Sequence, residues 1–347
     1  MTLLDTGTAA RPATSPRRSR LLAVDALRGL AVVGMLLVNN TGLPASTPAE
    51  LAHSDWHGLT IADLVFPLFL FVVGVAVPLA KTPASLRSVL RRSALLFVIG
   101  SLLVSAKHAH FGPSTGVLQH IAGAYLLCWL LLRLPRRWQP VVAIGLLGAV
   151  WAAYAMWGGG YEPTQNVAAR VDEALLGRFS AEQPHNLPTS MVSVWFGVLA
   201  GRALVEHRDA EHRLARLLLL ASSTLVAGLA LVLAGVPLNK PLWTPSYVLI
   251  TAGIGTTLLA AAHQVVDRWG ARAPARPLVV LGANAIAVYV VTSLAAVLAS
   301  PWRARVVDAL RSLGGARFAA VAYATLFVVA GWAMCEALYR RRYFIKL

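Results

Sequence analysis

The sequence predicts an all-α, polytopic membrane protein, a bundle of about ten transmembrane helices. Of its 347 residues, 57% are hydrophobic and only 13% are charged, whereas about a quarter of the residues in a soluble globular protein are charged. The mean hydropathy is +0.64. The apolar residues are also grouped into runs of roughly 20, the length that a helix needs to cross a bilayer. A soluble protein is therefore excluded, because the chain lacks the polar residues to cover a water-facing surface.

Ten apolar runs follow one another along the chain. We place transmembrane helices at 21–39, 60–80, 88–106, 116–133, 138–157, 187–205, 213–235, 242–263, 276–300 and 318–338. The first run contains Asp25 and Arg28 and lacks a small-residue cleavage site, so we expect it to be retained and not removed as a signal peptide. Residues 1–18, rich in Thr, Ala, Arg and Ser, are predicted to form a disordered cytoplasmic tail, and 19–347 a single transmembrane domain.

The lysine and arginine residues predict the orientation of these helices, because short cytoplasmic loops carry an excess of both. Of the 31 such residues, 22 fall in the two terminal segments and the four loops on their side, and eight fall in the opposite loops. Both termini are therefore predicted to be cytoplasmic, in a multi-pass protein of the plasma membrane. The net charge of +16 is spread over separate segments without interleaved aromatic residues, which excludes a nucleic acid-binding surface.

Polar residues concentrate at the predicted outer face. Asn39 and Asn40 end the first span, and Asp63 lies in the first turn of the second, where a carboxylate suits the positive end of the helix. Between them, a loop without Lys or Arg contains three further candidates, His53, Trp56 and His57. The outer face thus differs from the inner face in its chemistry as well as in its charge.

His53 lies ten residues before Asp63, so that Asn39, His53 and Asp63 can converge on one site. Histidine titrates near neutrality and is the commonest general base, and a carboxylate partner fixes its tautomer. Two simpler interpretations stay open at this point. Asp63 can serve only as a helix cap behind Thr60, and His53 can be a loop histidine without a catalytic role.

Other polar side chains occur inside the predicted spans. Asp25 and Arg28 are three residues apart, which allows them to pair on one helix face and neutralise each other; alternatively, Arg28 meets an anionic ligand from the cytoplasm. The remaining positions are Gln119, His120, Asn284, Tyr289 and Glu336. For these, hydrogen bonds between helices are the alternative to ligand binding.

No metal site is expected. Cys128 and Cys335 both lie in apolar runs, which supports neither a disulfide framework nor a cysteine metal site. His108 and His110 supply two ligands without a third at a useful spacing.

Several segments together resemble the heparan-alpha-glucosaminide N-acetyltransferase family. The most specific is the block at 53–67, HSDWHGLTIADLVFP, which follows VDALRGLA and LVNN in the first span. Shorter pieces continue in the order of the family: GVLQHIA at 116–122, GVLAG at 197–201, and LGAN at 281–284 followed by Tyr289. Members of this family are multi-span enzymes that move an acetyl group from cytoplasmic acetyl-CoA to an amino sugar across the membrane.

The resemblance implies roles for individual residues. The catalytic histidine of the family falls on His53 and its active-site asparagine on Asn39. His120 stands where the family usually has an arginine, and of an acidic segment before the sixth span at most Glu182 remains. That segment faces the acceptor, so an unusual acceptor is expected.

We therefore expect an acyltransferase that uses acetyl-CoA or another acyl-CoA, without a metal, and an amino sugar or similar amine or hydroxyl acceptor. The catalytic candidates are His53, Asn39 and Asp63. The candidates for acyl-CoA binding are Arg28, Gln119, His120 and Asn284, and those for acceptor binding are Asn40, Trp56, His57 and Glu182. Its expected partners are acyl-CoA, a glycan or small-molecule acceptor and the lipid bilayer; formation of a homodimer is left open.

The alternative function is that of a multi-span transporter or flippase without acyl-transfer chemistry. A transporter places its essential polar groups near the bilayer centre, often in broken helices. Here the polar residues concentrate at the outer interface, which favours the acyltransferase.

The predicted orientation can be tested at the loop that contains His53. In intact cells, a Ser54→Cys variant is expected to react with a membrane-impermeant thiol reagent, because this loop faces outward. Labelling that occurs only after lysis would overturn the topology. A cysteine introduced in the predicted cytoplasmic loop, by Ser85→Cys, is the matched control and is expected to react only after lysis.

Overall fold

The computed structural model describes residues 21–108, 116–157, 159–177, 184–207 and 209–345. Within these ranges the chain is helical and contains no β-strand. The helices are α1 (Leu22–Asn39), α2 (Ile61–Leu79), α3 (Leu86–His108), α4 (Val117–Leu131), α5 (Trp138–Met156), α6 (Val167–Leu176), α7 (Leu187–Glu206), α8 (Ala210–Leu233), α9 (Pro245–Ala262), α10 (Arg272–Ala283), α11 (Ala285–Leu298) and α12 (Ser300–Arg340). A π-helical turn, His263–Arg268, extends α9.

Eight helices of the described chain are long and apolar enough to cross a membrane, or nine if the pair α10 and α11, bent by 70°, forms one span. The fourth predicted span corresponds to α4, which is apolar but has only 15 residues. The all-α membrane bundle is thereby confirmed. The number of ten spans and the cytoplasmic location of both termini stay predictions.

Two features of the helices were not predicted from the sequence. A short helix, α6, lies in the long loop between α5 and α7, with Asn166 as its N-cap. In addition, α12 begins well before the predicted span at 318–338 and is interrupted at Gly315, whose φ of 82° lies in a region that glycine adopts readily.

Helices α2 and α7 pack closely and run parallel. A Cβ atom at Gly197 would lie 2.0 Å from the carbonyl oxygen of Phe71, and one at Gly201 would lie 2.5 Å from that of Val75. Only glycine permits this approach of two backbones, as is common between membrane helices. Because the contacts advance by four residues on both helices, the two chains point the same way, and their N-terminal ends lie on the same side of the bundle.

Helix α9 runs in the same direction. Its Tyr247 hydroxyl donates to the backbone carbonyl of Asp63 at 2.6 Å, and Gly255, two turns further on, lies against the ring of Phe71. The N-terminal ends of α2, α7 and α9 therefore meet at one end of the bundle. These helices correspond to the second, sixth and eighth predicted spans, which cross the membrane in the same direction.

Three connecting segments cover this end of the bundle, and each leads into one of the parallel helices. The Gly58 amide donates to the carbonyl of Leu238 at 2.8 Å, and the Trp56 indole donates to the carbonyl of Tyr161 at 2.7 Å. We call these segments the loop cap: residues 40–60, 159–177 with 184–186, and 235–244. The hydrogen bonds between these segments hold the loop of His53 against the first turn of α2.

Candidate active site

The centre of the site is a hydrogen bond between His53 and Asp63. The Nδ1 atom of His53 lies 2.8 Å from Oδ1 of Asp63. The carboxylate side chain is 1% exposed and the imidazole 49%. The two residues that the sequence places ten positions apart are therefore in direct contact, with the histidine facing outward.

The second oxygen of Asp63 closes the N-terminal end of α2. It accepts hydrogen bonds from the backbone amides of Ser54 and Thr60, at 3.1 and 3.2 Å, and from the Thr60 hydroxyl at 3.0 Å. One oxygen of this carboxylate thus caps the helix, and the other contacts His53.

This arrangement sets the tautomer of His53. The two backbone amides at this oxygen favour the ionised form of the carboxylate, while the Thr60 hydroxyl shares its one proton with the carbonyl of Ala52 at 2.8 Å. An ionised carboxylate can only accept hydrogen bonds. The proton of the neutral imidazole therefore lies on Nδ1, and its lone pair lies on Nε2. Within the described chain, no hydrogen bond occupies Nε2 of His53, so this atom is available as a base or nucleophile.

Sequence reasoning missed Lys240 as a residue of this site. Its Nζ atom lies 3.2 Å from Nδ1 of His53 and 3.7 Å from Oδ1 of Asp63, and its side chain is 12% exposed. The sequence offered one weak signal, a lysine on the face that is otherwise poor in charge. No spacing rule relates it to His53, which lies 187 positions earlier.

Asn239, the neighbour of Lys240, holds the predicted acceptor-binding residues Trp56 and His57. This fully buried side chain donates to the carbonyl of Trp56 at 2.9 Å and contacts Nδ1 of His57 at 3.2 Å. Its own oxygen accepts from the Leu242 amide at 2.7 Å. Because the Asn239 amide nitrogen is a donor, Nδ1 of His57 accepts, and the exposed ring presents an Nε2–H donor.

The other residues predicted for the outer face form no hydrogen bond with this pair within the described chain. Asn39 is the exposed last residue of α1, and no hydrogen bond among the described residues joins it to His53 or Asp63. Asn40 is buried and donates to the carbonyl of Leu36 at 2.9 Å, which closes the end of α1. Glu182 lies outside the described residues.

His120 lies in the interior, beneath the site. Its Nε2 atom is 2.8 Å from the hydroxyl of Ser190, and its ring contacts those of Phe66 and Trp243, with centroids 5.3 and 5.8 Å away. Phe66 is one helical turn further along α2 than Asp63. The neighbouring Gln119 lies 3.5 Å from the Ser101 hydroxyl. Helices α2, α4 and α7 thus enclose a polar position below the His53–Asp63 pair.

The two remaining acyl-CoA candidates lie elsewhere in the bundle. Arg28 contacts Asp25 at 3.0 Å and the carbonyl of Gly282 at 3.3 Å, where α1 meets α10. Asn284 is fully buried at the break between α10 and α11. Its side chain donates to the carbonyl of Tyr343 and accepts from the Ile345 amide, so it joins the C-terminal segment to this break.

Two further observations concern metal binding and the protonation of Tyr161. In the described part of the chain, no group of three or more His, Cys, Asp and Glu residues is arranged to hold a metal ion. Burial raises the pKa of the Tyr161 phenol, so that this side chain of the loop cap is neutral at physiological pH.

The chain was compared with known proteins. A model of the family described as "Heparan-alpha-glucosaminide N-acetyltransferase, catalytic" matches residues 20–233. The chain belongs to this family. It is 28% identical to the mouse (Mus musculus) heparan-alpha-glucosaminide N-acetyltransferase over an alignment that covers 78% of this chain and 53% of that protein. For the human (Homo sapiens) protein the identity is 26%, covering 78% and 52%. The chain thus spans about half the length of the curated relatives that it matches.

The sequence block at 53–67 that carried the resemblance falls within the matched region. The family relationship is therefore confirmed. The roles of individual residues stay predictions.

A second histidine–aspartate pair, also missed by sequence reasoning, connects two segments of the loop cap. Nδ1 of His185 lies 2.6 Å from Oδ2 of Asp172, and Nε2 lies 3.0 Å from the carbonyl oxygen of Pro241. The Pro241 carbonyl can only accept, so Nε2 carries a proton, and Nδ1 faces the carboxyl group of Asp172. The pair joins α6 to the segment that contains Lys240.

Replacement of His185 is expected to destabilise the protein. The side chains of His185 and Asp172 are 4% and 0% exposed, and leaving a buried hydrogen-bonding group without its partner costs about 1–3 kcal/mol. We expect His185→Ala to lower the thermal unfolding midpoint in detergent. His212→Ala is the matched control, because His212 also pairs with an aspartate, at 2.7 Å, but is 73% exposed. Equal midpoints for the two variants would contradict a stabilising role of this pair.

Proposed function

We propose that the protein is a membrane acyltransferase that moves an acyl group, acetyl in the first instance, from cytoplasmic acyl-CoA to an amine or hydroxyl acceptor at the opposite face. The observation that carries the proposal is the His53–Asp63 pair, in which Nδ1 is engaged and Nε2 is open. Membership of an N-acetyltransferase family supports it. An amino sugar is the proposed acceptor, and the plasma membrane is the proposed location.

His53 is the general base in this proposal. Its Nε2 atom removes a proton from the acceptor amine or hydroxyl as that group attacks the thioester carbonyl carbon. A new C–N or C–O bond forms, the C–S bond breaks, and the proton passes from His53 to the thiolate sulfur to give free CoA. In the alternative sequence of steps, Nε2 itself takes the acyl group and the acceptor then removes it. Both sequences need the lone pair on Nε2.

Asp63 and Asn39 have supporting roles in this proposal. Asp63 holds the imidazole and stabilises the imidazolium that forms during transfer. Asn39 is the proposed donor to the oxyanion of the tetrahedral intermediate, where loss of one donor typically costs about 2.7–4 kcal/mol. Its exposed amide makes no hydrogen bond within the described chain, so it is available for this contact once a substrate is bound.

The donor must reach His53 from the other side of the bilayer. The pantetheine arm of acyl-CoA has a length on the order of 20 Å, comparable with the distance from one surface to a site set below the other. We propose that the arm passes His120 and Gln119, which lie between the site and the bundle interior. Arg28 and Asn284 are proposed to contact CoA nearer to the entrance.

The acceptor is proposed to bind at the loop cap, where Trp56 and His57 flank His53. The Nε2–H of His57 supplies a donor to a hydroxyl of the acceptor, and the indole of Trp56 supplies an apolar wall. Asn40 and Glu182 remain proposed contacts. Because His57 is fixed by a buried side chain, Asn239, this donor is held in place before the acceptor arrives.

Loss of His53 is expected to abolish transfer. The test uses protein purified in detergent, radiolabelled acetyl-CoA, and a panel of amino sugars and polar lipids. We expect His53→Ala to reduce the rate by about 10²–10⁴-fold, the range for a positioned general base, whereas His212→Ala retains it. Equal transfer by the wild type and His53→Ala would remove His53 from the mechanism. Wild-type protein that transfers label to no acceptor would favour a carrier.

Asp63→Asn separates the two functions of this side chain. The amide oxygen can still accept from Ser54 and Thr60, but the amide nitrogen then faces Nδ1 of His53 and forces the imidazole proton onto Nε2. We expect kcat to fall by at least about 10²-fold, since the wrong tautomer of a catalytic histidine is inactive, while binding of acetyl-CoA changes little. A variant with normal kcat would contradict the proposed tautomer.

A further inference from the structure

Two charged groups, the carboxylate of Asp63 and the ammonium group of Lys240, lie near Nδ1 of His53. Its Nδ1 atom carries a proton and donates to Asp63, yet the ammonium group of Lys240 lies only 3.2 Å from that same atom. An ammonium group has donors and no acceptor, so it cannot form a hydrogen bond with a protonated Nδ1. The partner of Lys240 within this cluster is therefore Oδ1 of Asp63, at 3.7 Å.

We propose that Lys240 is a positioning residue of the active site, whose positive charge balances Asp63 and keeps the imidazole of His53 neutral. Asp63 and Lys240 together have no net charge, so a proton on His53 makes the cluster positive. Without Lys240, the same proton would neutralise the carboxylate and would be favoured. The positive charge of Lys240 thus disfavours a second proton on His53 and so preserves the lone pair on Nε2.

The position of Lys240 makes this effect substantial. Its side chain is 12% exposed and that of Asp63 is 1% exposed, so water and salt screen the charges less than at an open surface. A positive charge within about 4–6 Å of an imidazole disfavours its protonated form. The lysine at 3.2 Å from Nδ1 is well within that distance.

The other titratable groups near His53 do not supply the same charge. On its own loop, Asp55 is exposed and His57 is held by Asn239. From α9, Tyr247 presents a hydroxyl that donates to the Asp63 backbone carbonyl. Among the side chains whose contacts with His53 or the Asp63 carboxylate are described, Lys240 is the one that brings a fixed positive charge.

This inference rests on the proposed function for its catalytic consequence. A general base must be neutral before the acceptor binds, which the lysine favours. Once His53 has taken the proton of the acceptor, the nearby ammonium group repels the imidazolium and promotes transfer of that proton to the thiolate sulfur. The same charge therefore keeps more of His53 in the form that can act as a base and favours release of the proton afterwards, while it makes His53 a weaker base during the abstraction step.

The test measures the protonation of His53 without relying on catalysis. Diethyl pyrocarbonate reacts with the neutral imidazole, and tandem mass spectrometry of the digested protein separates modification at His53 from that at His57. We expect the midpoint of this reaction to move to higher pH by about 1 unit or more in Lys240→Met and Lys240→Gln, and to remain near that of the wild type in Lys240→Arg. Lys107→Met, at an exposed lysine, controls for a general loss of charge.

The acid limb of the acyl-transfer rate is expected to move by the same amount. An unchanged or lowered midpoint in both neutral variants, with folding verified by size-exclusion chromatography, would overturn the role of Lys240. If neither neutral variant folds, a midpoint of Lys240→Arg more than about 1 unit from that of the wild type overturns it, and an unshifted one supports it. If the wild-type protein transfers label but the neutral variants show no midpoint shift, only this inference is rejected. If the neutral variants show the shift but the wild-type protein transfers no label, only the proposed function is rejected.

Discussion

The site depends on one buried charge, the carboxylate of Asp63 at the N-terminal end of α2. A buried carboxylate is stable only if hydrogen bonds and opposite charges replace the water that it has lost. Here the backbone of the preceding loop supplies donors to one oxygen, and His53 and Lys240 lie at the other. The need to satisfy this carboxylate therefore fixes the loop, the orientation of the imidazole and the place of the lysine.

The parallel arrangement of α2, α7 and α9 gives this carboxylate its surroundings. Each helix carries a partial positive charge at its N-terminal end, and the three ends meet beneath the loop cap. Such a location favours Asp63 in its ionised form and would favour the oxyanion of an acyl-transfer reaction. Glycines at the contact of α2 and α7 permit the close approach on which this arrangement depends.

Three of the four histidine–aspartate pairs in the described part of the chain show how surroundings assign different roles to the same chemistry. The pair of His185 is buried and connects two segments of the loop cap. The pair of His212 is exposed, so it contributes little to stability. The pair of His53 combines a buried carboxylate with a half-exposed ring, which leaves Nε2 open toward solvent. Only this third combination suits a reactive group.

The sequence by itself determined the all-α membrane class, most helix positions and the family, and it placed His53 and Asp63 close enough along the chain to meet. These depend on local information: apolar runs of bilayer length, and a loop of ten residues that returns to a helix N-terminus. The tertiary structure alone decided that Lys240 contacts His53, that Asn239 holds His57 and that His185 pairs with Asp172. It also decided that Asn284 lies at a break. In a membrane, lipid and protein interior are equally apolar, so hydropathy does not say which helices become neighbours, and residues far apart along the chain meet only through helix packing.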